Sequence, residues 1–260
     1  LSRIAPKFEA LKHEGRKGFI PFITAGDPDL STTRDLILEL APVSTVIELG
    51  VPFTDPMADG PVIQRASERA LQHEFGLAEI LKVAADARQK TEVPIILFSY
   101  FNPLLRFGLP EFAREAKTAG LDGVLVTDLV PEEAAGFASV LRANDLDMIF
   151  LVAPTSTDER LRMIAERASG FIYAVSRAGI TGAREEMSAE AERLVTRVRR
   201  FSDLPVAVGF GISKPEHIGD VLRYADAAVV GSAIVSEIES SRSPADALSR
   251  VRDLVRQLLS

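Results

Sequence analysis

Glu48 and Asp59 are the two side chains of this sequence best placed to do chemistry. They share one connection, in the stretch VIELGVPFTDPMADGPVIQ at 46–64. Glu48 sits among Val46, Ile47 and Leu49, in a short apolar run that reads as a strand. Asp59 lies in the proline- and glycine-rich loop that follows, just before Gly60-Pro61 starts a helix. Two carboxylates on one strand-to-helix connection can serve as general acid and general base on one small ligand. Each also has a plainer reading. Glu48 can be an interior residue satisfied by a buried hydrogen bond, although buried carboxylates seldom lack a partner or a task. Asp before Gly-Pro is a common turn and helix-start residue. The pair on one loop, with an anion site expected nearby, makes the chemical reading the stronger.

That anion site rests on GFGIS (209–213) and GSAI (231–234), each directly after a strand-like run. Glycine lets backbone N–H groups approach a ligand where a Cβ would obstruct it. Ser232–Ile238 reads as a short helix whose free N–H groups and dipole would face a phosphate. Gly211, Gly231 and Ser232 are therefore candidate phosphate contacts. Phe22, Tyr100, Leu125, Tyr173 and Phe210 stand at strand ends or just beyond, and would line a flat apolar slot. The segment SRAGITGAREEM (176–187) has glycines at 179 and 182 suited to hinges, and reads as a lid.

These residues need a scaffold, and the pattern supplies one. Strand-like runs fall at Gly18–Thr24, Thr45–Gly50, Val93–Phe98, Gly123–Thr127, Met148–Val152, Gly170–Val175, Pro205–Gly209 and Ala227–Gly231. Continuous apolar runs of this length are typical of strands buried on both faces. Helical patterns alternate with them at Thr32–Leu40, Ala78–Lys90, Pro110–Thr118, Glu132–Arg142, Asp158–Arg167, Ala189–Phe201, Pro215–Arg223 and Ala245–Leu259. The fold expected is α/β: a single (β/α)8 TIM barrel spanning 1–260, with an extra N-terminal helix and a short phosphate-binding helix after strand 8. A doubly wound open sheet is the alternative, but no dinucleotide fingerprint follows the first strand. In a barrel the active site lies at the carboxyl ends of the strands, where all the residues named above fall.

Composition narrows the chemistry. The chain has 260 residues, a net charge of −7 and no cysteine, which rules out a disulfide, a thiolate zinc site and a thiol nucleophile. The acidic balance argues against nucleic acid as a partner. No apolar run reaches the roughly 18 residues of a membrane span, so a cytoplasmic protein is expected. His13, His73 and His217 all fall on helices, and no lysine lies within a strand, so neither a histidine metal site nor a Schiff base is expected. Carboxylate acid–base chemistry on a phosphorylated substrate remains.

Taken in order, PFITAGDPD (21–29), ELGVPFTDPMADGPVIQ (48–64), SRAGITG (176–182), GFGIS (209–213) and GSAIV (231–235) resemble the tryptophan synthase α subunit family over essentially the whole chain. The resemblance implies a (β/α)8 barrel that splits indole-3-glycerol phosphate into indole and glyceraldehyde 3-phosphate. It implies an αββα complex with a β subunit that carries pyridoxal phosphate, and no cofactor in this chain. By the same resemblance Glu48 would be the principal acid–base and Asp59 would stabilise the indole N–H proton. Gly182, Gly211, Gly231 and Ser232 would hold the phosphate. Phe22, Tyr100, Leu125, Tyr173 and Phe210 would line the indole slot, and Thr181 of the lid would bond Asp59. Asp55, Asn102 and Pro103, with Leu104 and Leu105, would face the β subunit. Thr127 stands where the family commonly has alanine, and bears on the shape of the slot. Readings other than the coupled lyase are a free-standing indole-releasing lyase, an allosteric activator of the β subunit, or another phosphate-binding barrel enzyme.

Overall fold

The computed structural model describes residues 1–175, 184–209 and 211–260; for 184–188 it describes the backbone alone. Eight parallel strands pair in chain order and close on themselves, β1 against β8. They are β1 (Gly18–Thr24), β2 (Ile47–Gly50), β3 (Ile95–Ser99), β4 (Gly123–Val126), β5 (Asp147–Val152), β6 (Ile172–Val175), β7 (Val206–Gly209) and β8 (Ala227–Val230). The helices are α1 (Ile4–His13), α2 (Leu30–Leu40), α3 (Pro61–Ala70), α4 (Leu77–Arg88), α5 (Phe101–Phe107), α6 (Leu109–Thr118), α7 (Ala135–Ala143), α8 (Asp158–Arg167), α9 (Arg184–Val198), α10 (Pro215–Leu222), α11 (Ser232–Glu239) and α12 (Pro244–Leu258). The expected barrel, its leading helix and its short helix after the last strand are all present.

Strand geometry sorts the apolar residues by parity. Side chains alternate between the two faces of a strand, so Ile20, Val46, Ile96, Leu125, Ile149, Phe171, Ala207 and Ala227 fill the barrel interior. Their neighbours Phe19, Ile47, Ile95, Val124, Met148, Ile172, Val206 and Ala228 face outward and pack under the helices. Ile4 and Phe8 of α1 join the interior set, Phe8 meeting Phe171 at 5.9 Å between ring centroids, so α1 plugs the amino-terminal end. Asp122, just before β4, clamps that plug. It accepts from Arg3 N at 2.9 Å, Arg3 Nη1 at 3.0 Å, Arg88 Nη2 at 3.0 Å and Ile95 N at 3.0 Å.

Three elements differ from the sequence reading. α5 forms where no helical pattern was read, seeded by a Phe101 N–H that donates to Asp128 Oδ1 at 2.7 Å. α9 begins at Arg184, so 184–187 are helical and the expected lid loses its final turn. α7 begins at Ala135, because the backbone after Pro131 runs through turns before it reaches helical geometry.

Candidate functional site

At the carboxyl ends of the strands a cavity of about 440 Å³ is lined by Glu48 and Asp59 together. Its walls are mostly apolar: Phe22 from β1, Phe98 from β3, Leu151 from β5, Val175 from β6, and Ile212 and Val229. Phe22 and Phe98 meet edge-to-face at 5.3 Å and 79°, a favoured aromatic geometry. A pocket of this size and polarity suits a flat ligand with a few polar handles.

Glu48 occupies the interior face of β2, in register with Phe22 of β1 and Ile96 of β3. It is 1% exposed, and its Oε1 has no hydrogen-bond partner among the described residues. Burial pushes its carboxyl well above the ordinary value, because a charge is poorly solvated there. Glu48 is thus poised to donate a proton. Tyr173 faces the same cavity from β6, and burial together with the Glu48 charge holds its phenol protonated. Gly209 is what admits that phenol: a Cβ there would lie 2.2 Å from the Tyr173 hydroxyl oxygen.

Asp59 is held by two residues, Tyr100 and Gln64. The Tyr100 hydroxyl donates to its Oδ2 at 3.1 Å and accepts the Ala58 N–H at 2.9 Å. Gln64, one turn into α3, donates to the Asp59 carbonyl at 2.9 Å and the Pro56 carbonyl at 3.4 Å. Burial raises the Asp59 carboxyl, and the Tyr100 hydrogen bond partly opposes it. Tyr100 itself is pushed up to about 12, chiefly by burial. Two carboxylates in one cavity, one deep with an oxygen unpartnered among the described residues and one hydrogen-bonded near the rim, are set for different tasks.

The far wall carries Gly211, Gly231 and Ser232. Gly211 adopts φ +45, the left-handed region that favours glycine. Gly231 caps α11, and no side chain caps the first N–H groups of that helix, which leaves them for an anion.

Sequence reasoning placed Glu48, Asp59, Phe22, Thr127, Tyr173, Gly211, Gly231 and Ser232 at this cavity, and all eight line it. Leu125 does not: it is fully buried one layer deeper in the barrel, and the next inward residue of its strand direction, Thr127, reaches the cavity instead. Tyr100 is no slot wall either. Its ring stacks on Phe53 at 4.9 Å and its hydroxyl serves Asp59. Thr181, Gly182 and Phe210, with most of the expected lid, lie outside the described residues. Phe98 and Leu151 were missed, although each stands two residues beyond an interior residue, Ile96 and Ile149, and parity alone identifies them. On the rim, Asp55 and Asn102 are exposed and Pro103 is half-buried. Leu105 is exposed, whereas Leu104 is fully buried in the core and unavailable to a partner. Among the described residues no cluster of His, Cys, Asp or Glu is arranged to hold a metal, and no helix is long and apolar enough to cross a membrane.

Fold and site define a class: a (β/α)8-barrel enzyme with two carboxylates facing one apolar cavity at the carboxyl ends of its strands. Comparison with known proteins narrows it. The family model for the tryptophan synthase alpha chain matches residues 8–259. The tryptophan synthase alpha chain of Solibacter usitatus is 47% identical over 259 residues, covering 99% of this chain and 97% of that one. That of Thiobacillus denitrificans is 49% identical over 260 residues, covering 99% and 95%. Among solved structures, a chain of the tryptophan synthase α2β2 complex of Pyrococcus furiosus superposes with a TM-score of 0.88 at 42% identity, covering 93% of this chain and 97% of that one. The alpha subunit of Legionella pneumophila gives 0.87 at 38% identity, covering 98% and 99%. The chain belongs to the tryptophan synthase alpha chain family.

Proposed function

We propose that this chain cleaves indole-3-glycerol phosphate to indole and glyceraldehyde 3-phosphate, with Glu48 as the acid–base group and Asp59 as its electrostatic partner. The observation that carries the reading is the Glu48 carboxyl, buried in the cavity with its Oε1 unpartnered among the described residues and its neutral form favoured. A neutral carboxyl protonates the indole ring at C3. The ring nitrogen becomes positive, and ionised Asp59 stabilises its N–H. The Glu48 carboxylate then takes the proton of the C3′ hydroxyl, the C3–C3′ bond breaks, and its electron pair returns to the ring. One proton enters and one leaves, so Glu48 ends as it began. The phosphate rests on the backbone of Gly211 and Gly231, on Ser232 and on the N-terminus of α11, with Gly182 contributing from the lid. Phe22, Phe98 and Tyr173 enclose the ring, and Thr181 bonds Asp59 when the lid closes.

The indole passes to a β subunit that carries pyridoxal phosphate, within an αββα assembly in the cytoplasm. The surface assigned to that subunit includes Asp55, Asn102, Pro103 and Leu105. Met57, 92% exposed on the Asp59 loop, supports it as an apolar contact left uncovered at the same end of the barrel. The test is indole release from indole-3-glycerol phosphate by wild type and Glu48→Gln, each with and without a β subunit. Turnover by wild type that rises with the partner and falls by about 10²–10⁴ in the variant is expected for a lost acid–base group. Absence of indole in every combination would refute the assignment.

A further inference from the structure

Outside the cavity, one guanidinium joins three of the elements that build it. Arg69, in the last turn of α3, forms a two-pronged ion pair with Asp27, Nε to Oδ1 at 2.9 Å and Nη2 to Oδ2 at 2.8 Å. Asp27 lies just after β1 and is 1% exposed. The third nitrogen of Arg69 reaches Glu239, the last residue of α11, with Nη1 at 2.9 Å from Oε1. Arg65, one turn earlier on α3, grips the same Glu239 with two bonds of 2.6 and 2.8 Å. Those bonds hold the Glu239 carboxyl down at about 2, so the clasp stays charged throughout the neutral range.

The opposite ends of α3 and α11 face the cavity, and β1 reaches it at the same carboxyl end that leads to Asp27. β1 carries Phe22, α3 follows directly on Asp59, and α11 opens with Gly231 and Ser232. Beneath the cavity the same three elements touch through Phe22, Ala66 and Val235. Ala66 and Val235 are small or short, so this contact lets α3 and α11 come close but does little to stop them sliding. Directed bonds resist sliding, because a planar guanidinium fixes both distance and angle to each carboxylate.

We propose that Arg69 is a positioning residue: by bridging Asp27 and Glu239 it holds the Asp59 loop at a set distance from the N-terminus of α11, so that the ring end and the phosphate end of one substrate bind in register. This rests on the assignment of Asp59 and α11 under the proposed function. Lysine can replace the charge facing Asp27 but cannot bridge both carboxylates, so Arg69→Lys separates charge from bridging. Glu239→Gln leaves the Asp27–Arg69 pair intact and loosens α11 alone.

The experiment measures kcat and KM for indole-3-glycerol phosphate, the Kd of inorganic phosphate by calorimetry, and Tm, for wild type, Arg69→Lys and Glu239→Gln with the β subunit present. Misplacement of a binding group by part of an ångström is expected to raise KM and the phosphate Kd about tenfold in Glu239→Gln, and by less in Arg69→Lys, where Arg65 still grips Glu239, with the folded fraction unchanged in both. Glu239→Asp, which keeps the charge on a shorter arm, should recover part of the loss. A lowered Tm with wild-type KM, kcat and phosphate Kd would overturn the proposal and leave the clasp a stability feature only. Wild type that binds phosphate but releases no indole would refute the lyase assignment instead, and the phosphate Kd of the two variants would still decide on the clasp.

Discussion

Asp122 at the amino-terminal end of the barrel and Glu48 at the carboxyl end are each buried to 1% exposure, and the fold treats them in opposite ways. At the amino-terminal end Asp122 receives four hydrogen bonds, from Arg3, Arg88 and two backbone N–H groups. At the carboxyl end Glu48 faces an apolar cavity with one oxygen unpartnered among the described residues. Burying a charge is costly unless it is paired. Asp122 meets that condition and closes the barrel against α1. Glu48 does not, and the fold answers by favouring its neutral form. Depth alone therefore says little about function; what separates a clamp from a reactive group is whether the fold completes its hydrogen bonds.

The sharpest way to break this contrast is to exchange the costs. Asp122→Ala strands two arginines and two N–H groups, and breaking a buried ion pair typically costs about 3–5 kcal/mol. Urea unfolding should show a loss of that order, less whatever the part-exposed Arg3 regains from water, while kcat per folded molecule holds. Equal losses of kcat and stability would mean that the two ends are coupled.

Glu48→Gln should do the reverse, removing turnover without loss of stability. Because the folded-state value of Glu48 lies above the unfolded value near 4.5, the stability associated with its neutral form is complete below that pH. It is lost as pH rises toward the folded value. Glutamine carries no such penalty, so the Tm of the variant relative to wild type should climb from pH 4 upward and level off once Glu48 ionises in the folded protein. A flat difference across that range would show that Glu48 is better solvated than the structure indicates.

The smallest effect probes the second carboxylate. Tyr100→Phe removes a donor to Asp59 and an acceptor for Ala58 N–H, at about 1 kcal/mol per hydrogen bond, so kcat/KM should fall by roughly thirtyfold or less. The Tyr100 hydroxyl favours ionised Asp59, so without it the acid limb of the kcat/KM profile should move to higher pH. An unmoved limb would take Asp59 out of the rate-determining ionisation.

Parity explains most of what sequence reading reached and what it missed. Phe22 and Tyr173 were found because they stand at strand ends, Thr127 through the family resemblance, and all three also point inward. Leu125 shares that inward face but stops one layer too deep, and Tyr100 lies beyond its strand, where a helix start turns it toward Asp59. Selecting by residue type at strand ends cannot tell these cases apart. Stepping by two from Ile96 and Ile149 would have reached Phe98 and Leu151. α5 escaped notice because Phe101–Phe107 is short for a helical pattern.

Eight buried strand runs alternating with helices specify the barrel from the chain alone. The two carboxylates and the glycines at the strand ends are specified likewise, because residue type and local period are written in the chain. Folding in three dimensions settled which carboxylate keeps an oxygen unpartnered among the described residues, which inward side chain reaches the cavity, and that Arg69 joins Asp27 to Glu239 across 42 and 170 positions of sequence. Those outcomes depend on barrel closure and stagger, which bring distant residues to hydrogen-bond distance and leave others facing the cavity.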